Sequence, residues 1–175
     1  MNQGFTLWLT GKPGTGKNAV SRLIQENLLT RGLQAELLDD SSLRTEVFPE
    51  LGESRQDFNI SARLFGHISQ MLNRNDIVCI VAAVSPDRSV REKIKGSMEN
   101  FIEIHLDSSA KYDIKIEKSA EADLELNMDS MDPYGASSRI LAKLEEFTFI
   151  APKSEDYTEE EKAEIDARLK SLGYM

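Results

Sequence analysis

The stretch that decides the fold is Phe5–Thr10 (FTLWLT) followed by Gly11–Lys17 (GKPGTGK). The first part predicts a buried strand, and the glycines of the second let the chain curl so that several backbone N–H groups point at one position. Apolar residues then recur at the spacing of one helix face: Val20, Leu23, Ile24 and Leu28. A strand, a glycine-rich turn ending in lysine and an amphipathic helix together predict a site for the phosphates of a nucleoside triphosphate.

Strand-like and helix-like segments alternate along the rest of the chain. Strands are predicted at 34–38, 77–84, 101–106 and, more weakly, 122–127. Helices are predicted from Asp57, from Ser85-Pro86 and from Asp132-Pro133, the last with an N-cap and a proline at the first helical position. The expected inward faces are Leu64, Phe65, Ile68 and Leu72, and Ile140, Leu141, Leu144 and Phe147. This alternation predicts an α/β fold with a parallel five-stranded sheet sandwiched by helices.

The chain changes character after Phe149. Residues 151–157 predict a polar linker, and Thr158–Glu161 match a capping box at the start of a helix. That helix carries Ile165, Leu169 and Leu172 on one face, and Gly173 is expected to end it. We therefore divide the chain into a main domain, residues 1–149, and a linker with an appended C-terminal helix, residues 150–175. This helix either packs on its own domain or contacts a partner.

The charge balance excludes several kinds of partner. The chain has 175 residues, with 21 Lys and Arg against 30 Asp and Glu, so its formal net charge is −9. An acidic surface repels nucleic acid and anionic membranes. The longest apolar run, Ile77–Val84, is far shorter than the roughly 20 residues of a membrane span, and no signal-peptide pattern is present. With one cysteine, Cys79, no internal disulfide is expected, and we predict a cytoplasmic protein.

The glycine-rich turn supplies the predicted nucleotide contacts. Its residues are Gly11, Lys12, Pro13, Gly14, Thr15, Gly16, Lys17 and Asn18. Lys17 is expected to balance the charge of the outer phosphates. Asn18 occupies the position at which such loops usually carry a Ser or Thr that binds Mg²⁺. Since an amide oxygen can also bind this ion, we predict a nucleoside triphosphate and Mg²⁺ as ligands, with metal binding weakened or reorganised.

Between residues 4 and 148 the sequence resembles the adenylylsulfate kinases. The motifs that carry the resemblance are Gly4–Lys17, Glu36–Asp39, Arg44, Leu51-Gly52 with Ser54-Arg55, Ile80–Pro86 with Arg88, and Phe101–Asp107. The resemblance implies a P-loop NTPase-type fold and a kinase of sulfate assimilation. Such an enzyme transfers the γ-phosphate of ATP to the ribose 3′-hydroxyl of adenylylsulfate with the help of Mg²⁺, and the family suggests a homodimer.

The same resemblance assigns roles to individual residues. It gives catalysis to Lys17 and Asp39, and Mg²⁺ binding to Asn18 and Asp39. The acceptor would be bound by Arg44, Phe58, Ser61, Arg63, Val84 and Ser85. Three positions depart from the family. The second Asp of its D-G-D-x-x-R motif is Ser41 here, and the first Arg and the Asn of R-x-x-N-I-R are Phe58 and Ser61.

A basic lid of about twenty residues that the resemblance leads us to expect after the fourth strand is missing. Lys111, Lys115 and Lys118 are candidates to replace part of its charge. A lid excludes water and completes the charge clamp on the transferred phosphoryl group. We therefore expect an impaired adenylylsulfate kinase or one with a changed acceptor. Two alternatives stay open: a catalytically weak nucleotide-binding module that docks a partner, and a kinase for another small hydroxylated substrate.

Overall fold

The computed structural model describes residues 3–152, 159–171 and 173. Its strands are β1 (Thr6–Thr10), β2 (Ala35–Asp39), β3 (Val78–Ala83), β4 (Phe101–Asp107) and β5 (Leu124–Asn127). Its helices are α1 (Lys17–Thr30), α2 (Asp40–Ser42, continued by a π-helical turn over Leu43–Val47), α3 (Arg55–Asn73), α4 (Arg88–Lys95), α5 (Pro133–Glu146) and α6 (Glu159–Ser171). The strands and the longer helices follow one another in the order that the sequence predicts, whereas α2 and its π-helical turn were not predicted.

The five strands form one parallel sheet in the order β2-β3-β1-β4-β5. In the centre, Leu7 of β1 pairs with Ile80 of β3 on one side and with Ile102 of β4 on the other. The predicted α/β fold with a five-stranded parallel sheet is therefore confirmed. Because all strands run in the same direction, their carboxyl ends meet at one edge, and the loops that follow them gather there.

Two apolar clusters cover the two faces of the sheet. On one face α1 and α5 pack against the strands, for example through Ile24 and Ile140. On the other face α3 and α4 contribute Phe65 and Ile94, which surround the fully buried Trp8 of β1. With helices on both faces, the strands are nearly continuous in their apolar character, as in other buried parallel sheets.

Several element boundaries differ from the sequence-based predictions. Helix α3 begins at Arg55 rather than Asp57, because Ser54 is the N-cap and Asp57 completes a capping box with it. Helix α4 begins at Arg88 rather than at Ser85-Pro86, since Ser85 adopts a positive φ of 37° that no helix accepts. Phe147 does not belong to the inward face of α5. It follows the last helical residue and is 37% exposed.

The C-terminal helix packs on the rest of its own chain through the residues described. Leu169 is only 3% exposed, and Arg168 forms an ion pair with Glu26 of α1. The predicted capping box at 158–161 and the predicted contact of Leu172 lie outside the residues whose structure is described. No helix within the described ranges has both the length and the apolar character needed to cross a membrane.

Candidate active site

The loop between β1 and α1 has the backbone geometry of a phosphate cradle. Gly14 and Gly16 adopt φ angles of 81° and 85°, in the left-handed region that favours glycine. Gly11 has no room for a side chain, because a Cβ there would lie 2.4 Å from the carbonyl oxygen of Leu106. Gly16 caps α1 without any side-chain hydrogen bond, so the first N–H groups of the helix are left for a ligand.

The ammonium group of Lys17 is folded back onto this loop. Its Nζ donates to the carbonyl oxygens of Gly11 at 2.9 Å and Lys12 at 2.8 Å. Burial lowers the pKa of Lys17 to about 8, although the charge of Asp40 raises it in part. A bound polyphosphate would replace the two carbonyls as the partner of this ammonium and would favour its charged form.

Asp40 is a cleft residue that the sequence analysis missed. Its Oδ2 accepts a hydrogen bond from the backbone N–H of Val84 at 2.7 Å. Its Oδ1 is buried and bonds to no group among the residues that the structure describes. Burial raises the pKa of Asp40 to about 6, against the effects of the Val84 N–H and of the Lys17 charge. A buried carboxylate oxygen without a partner is costly unless a ligand completes it.

Asp39, the carboxylate assigned to catalysis by the resemblance, is engaged in a local structure. Its Oδ1 accepts from the Ser42 backbone N–H at 2.9 Å and its Oδ2 from the Ser42 hydroxyl at 2.8 Å. Asp39 is thereby the N-cap of α2, while Asp40 lines the cleft. The sequence shows two adjacent acidic residues at a strand end, but not which one turns toward the loop. The adjacency itself is the signal that could have drawn attention to Asp40.

One cleft of about 320 Å³ brings the loop and the end of β2 together. Its lining includes Pro13, Gly14, Gly16, Lys17, Asn18, Asp40, Ser41, Arg44, Phe58, Val84 and Gly173. No cluster of three or more His, Cys, Asp or Glu side chains suited to a metal occurs in the described part of the chain. A metal in this cleft would therefore depend on few protein ligands and on the phosphate oxygens.

Arg44 and Phe58, which the resemblance assigns to acceptor binding, lie together at one end of the cleft. The guanidinium carbon of Arg44 lies 5.4 Å from the centre of the Phe58 ring, which is a cation–π arrangement. Arg44 Nη2 is 3.5 Å from Glu53 Oε1. Its Nη1 is buried, and no acceptor in the described residues bonds to it. This N–H group is free to bind an anionic ligand.

The other predicted acceptor residues do not all reach the cleft. Val84 lines it, whereas Ser61, Arg63 and Ser85 do not. The Ser61 hydroxyl donates to Asp57 O within α3, and Arg63 is on the exposed side of that helix. The Ser85 hydroxyl is 3.1 Å from Trp8 Nε1, which donates to it. Ser85 therefore fixes the turn after β3 rather than facing a ligand.

Comparison with known proteins identifies the relatives of this chain. Residues 3–119 match the family model described as adenylylsulphate kinase. This chain belongs to the adenylylsulfate kinase family. The adenylyl-sulfate kinase of Microcystis aeruginosa is 35% identical over 106 residues, which are 61% of this chain and 59% of that protein. The match thus spans about three-fifths of the length of this curated relative.

Solved structures show the same relationship. An APS kinase of Mycobacterium tuberculosis is 27% identical, with a TM-score of 0.69 over 83% of this chain and 99% of that chain. A protein described as a hexameric APS kinase, from Thiobacillus denitrificans, is 27% identical, with a TM-score of 0.73 over 85% of this chain and 30% of that chain. The P-loop kinase fold implied by the resemblance is confirmed.

Where the resemblance to adenylylsulfate kinases implies a basic lid, this chain has a short strap, residues 108–123, without helix or strand. The strap crosses to the start of α3, where Arg55 Nη1 donates to the carbonyl oxygen of Lys115 at 2.8 Å. It also crosses to the turn after β3, where the Glu117 N–H donates to Pro86 O at 2.9 Å. A second cavity, of about 280 Å³, lies between the strap and Gly11-Lys12.

The lysines expected to replace the lid are placed unequally. Lys115 and Lys118 line the second cavity beside Lys12, whereas Lys111 is exposed and lines neither this cavity nor the cleft. Lys118 is 3.6 Å from Asp107 and 3.4 Å from Glu125, so carboxylates already share its charge. The strap therefore brings two lysines to the outer side of the loop.

A buried polar network holds the strap on the sheet. Arg91 is fully buried, and its Nε donates to Glu103 Oε1 at 2.8 Å while its other nitrogens bond to the carbonyls of Ser85 and Glu117. Burial alone would raise the pKa of Glu103, but hydrogen bonds from His105, Ser119 and Arg91 lower it to about 2. Glu103 is therefore charged at neutral pH, and its ion pair with Arg91 fixes the strap and the turn at Ser85 together.

Proposed function

We propose that this chain is an ATP-dependent phosphotransferase that transfers the γ-phosphoryl group of ATP to the ribose 3′-hydroxyl of adenylylsulfate. The family membership supports the reaction type. The observation that carries the proposal is the cleft in which Lys17, Asp40 and Arg44 lie together beside an open helix N-terminus. Such an arrangement combines a phosphate cradle, a carboxylate and a cation for an anionic acceptor.

The loop would bind the phosphates of ATP through backbone N–H groups and through the charge of Lys17. Residues of the loop and of the first turn of α1 line the cleft, and the helix dipole favours negative charge there. Lys17 turns from the carbonyl oxygens of Gly11 and Lys12 to the outer phosphates, where it balances the charge of the transferred group. This exchange of partners keeps the ammonium hydrogen-bonded throughout.

The oxygen donors of the cleft fit Mg²⁺. Asn18 offers an amide oxygen, and Asp40 offers the buried Oδ1 that has no partner within the described structure. Mg²⁺ commonly uses one or two protein oxygens together with phosphate oxygens and water. When bound, the ion would neutralise charge on the phosphates. Asp40 is the better placed of the two carboxylates, because Asp39 caps α2 through Ser42 and does not line the cleft.

The transfer requires little covalent chemistry from the protein. The acceptor oxygen forms a bond to the γ-phosphorus while the bond from that phosphorus to the β–γ bridging oxygen breaks, and ADP leaves with that oxygen. The hydroxyl proton passes to water in the open cleft. Lys17 holds the transferred group in line, and the free Nη1 of Arg44 orients the anionic part of the acceptor.

A second acceptor class has an observation in its favour. Phe58 stands where the family motif carries Arg, and Arg63 does not reach the cleft, so Arg44 is the acceptor cation among the described lining residues. A kinase for another small hydroxylated substrate, with one anionic group, would need only this cation. The homodimer implied by the resemblance stays a prediction, which light scattering of the purified protein would test.

The decisive experiment is an assay with two products. The protein is incubated with Mg²⁺ and ATP, with and without adenylylsulfate, and ADP and 3′-phosphoadenylylsulfate are measured by mass spectrometry. Product that depends on adenylylsulfate is the expected result. ADP formed only with another hydroxylated anion would favour the second acceptor class. No ADP from folded protein would contradict the phosphotransferase and favour a nucleotide-binding module.

Two variants make this assay specific to the cleft. Asp40→Asn should lower turnover by roughly 10²-fold, because the carboxylate charge is lost while an amide oxygen still accepts from the Val84 N–H. Asp76→Asn is the matched control, since Asp76 is exposed in the loop before β3. Asn18→Ser should raise turnover and lower the Mg²⁺ concentration required. If Asp40→Asn and Asp76→Asn changed turnover equally, Asp40 would have no specific role in the reaction.

A further inference from the structure

The C-terminal helix reaches the phosphate cleft. Gly173, two residues beyond the end of α6, lines the cleft together with Pro13, Gly14 and Gly16 of the loop. The chain turns there, because Gly173 has a φ of 77° and its N–H donates to the carbonyl oxygen of Lys170 at 3.1 Å. The family match ends at residue 119, so this helix lies outside the part of the chain shared with the family model.

Three contacts hold the helix in this position. The hydroxyl of Tyr134, at the start of α5, donates to Lys162 O at 3.0 Å and also bonds to Asp166. Arg168 Nη1 is 3.2 Å from Glu26 Oε1 of α1. Leu169 is buried to 3% exposure, so the helix has an apolar anchor close to the cleft. The helix therefore lies against α1 and α5, the two helices on one side of the loop.

The charge at this end of the helix decides whether a phosphate ligand can approach it. A helix C-terminus carries a partial negative charge, which by itself would repel phosphates. The last turn of α6, however, carries two cations, Arg168 and Lys170. Lys170 is exposed, and its carbonyl oxygen bonds to the residue that lines the cleft. Arg168 is paired with Glu26, so the exposed Lys170 is the cation that offsets the partial negative charge of this helix end.

We propose that α6 with Gly173 is the cover of the phosphate cleft, and that it closes over the phosphates of a bound nucleoside triphosphate. This proposal rests on the proposed function, since ATP is the nucleotide that the helix would cover. The strap at 108–123 is tied to the start of α3 and to the turn after β3. The helix covers the loop from the side of α1 and α5. Together they take the place of a single internal lid, and Gly173 is the residue of the cover that lines the cleft.

The test detaches the helix while the chain stays whole. Leu169→Asp places a charge at the buried anchor, and Ala167→Asp, at an exposed position of the same helix, adds the same charge as a matched control. Tyr134→Phe is a milder second variant that removes the hydroxyl bonds to Lys162 and Asp166. Thermal unfolding shows that the main domain is folded in each variant. Calorimetry then gives Kd for ATP and ADP, and amide exchange reports residues 11–18 without nucleotide.

We expect Leu169→Asp to raise Kd for ATP by about tenfold, which corresponds to about 1.4 kcal/mol, and Kd for ADP by less. Amide exchange of residues 11–18 should rise even without nucleotide. Ala167→Asp should change both readouts by less than about twofold. Tyr134→Phe should change them in the direction of Leu169→Asp, with a smaller amplitude.

Three outcomes would overturn the cover. Equal Kd values for Leu169→Asp and Ala167→Asp would show that the position of the helix is irrelevant to the nucleotide. Tighter ATP binding by Leu169→Asp would make the helix a plug that competes with ATP. No binding of ATP or ADP by the parent chain would overturn the proposed function as well, and the parent measurement alone distinguishes that case.

Discussion

The loop side of the cleft and the opposite side, which we propose binds the acceptor and call the acceptor side, are built in different ways. The loop side is made of backbone: glycine φ angles, a close approach at Gly11 and an open helix N-terminus. The acceptor side is made of side chains, chiefly Arg44 stacked on Phe58. Backbone sites depend on a few glycines and tolerate little change. A site made of side chains can change its ligand by single substitutions. On the acceptor side this chain departs from the family motifs at Ser41 and Phe58.

Of the variants proposed for the two sides of the cleft, Lys17→Met should have the largest effect. It removes the one long side chain on which the backbone-built side depends, so turnover should fall by roughly 10²- to 10³-fold. Steady-state kinetics with ATP and adenylylsulfate measures the effect. Lys93→Met, at an exposed position of α4, is the control and should leave kcat within about twofold. A small effect of Lys17→Met would mean that the backbone alone binds and orients the triphosphate.

The dependence of kcat/KM on pH should reflect two titrating groups of the cleft. Asp40, with a pKa of about 6, carries its charge above that pH, and Lys17, with a pKa of about 8, keeps its charge below that pH. We therefore expect kcat/KM for ATP to be highest between these values and to fall toward tenfold per pH unit outside them. In Asp40→Asn the acid limb should disappear. An acid limb that persists would assign it to another group.

Arg44→Ala should have a smaller and more selective effect. Because Arg44 lies at the acceptor end, KM for the acceptor should rise by about tenfold, the effect of roughly 1.4 kcal/mol, while Kd for ATP stays the same. Arg44→Lys keeps the charge but loses the planar group stacked on Phe58, and should recover only part of the loss. If Kd for ATP rose as much as KM for the acceptor, the two sides of the cleft would be one site.

The fold and the loop were predictable from the sequence for one reason. Periodicity and glycine placement report backbone conformation directly, so β1, the loop and α1 follow from residues 5–28. Element starts were harder, since the side chain of Ser54, not the apolar pattern, fixes where α3 begins. The start of α4 depends in the same way on the turn at Ser85. Trp8 and Thr10 of β1, which are far from Ser85 in the sequence, fix this turn by hydrogen bonds.

The side-chain part of the site was less predictable. Asp39 and Asp40 are equivalent in sequence, and only the N-cap of α2 decides which carboxylate is free. Ser61 and Arg63 match or replace family positions, yet neither lines the cleft. The approach of Gly173 to the loop joins residues more than 150 positions apart. No local pattern encodes a contact of that range, whereas helix and strand patterns arise within a few residues.

The hydrogen bond from Trp8 to Ser85 gives the molecule a built-in optical reporter. Trp8 is the only tryptophan of the chain, and its indole N–H is fixed to the turn that also carries Val84 of the cleft. The indole is fully buried and stacks on Phe101, with 5.7 Å between the ring centres. Its emission is therefore tied to the turn between β3 and α4. We expect ligand binding beside Val84 to change this emission, so that tryptophan fluorescence would follow binding in the unmodified protein.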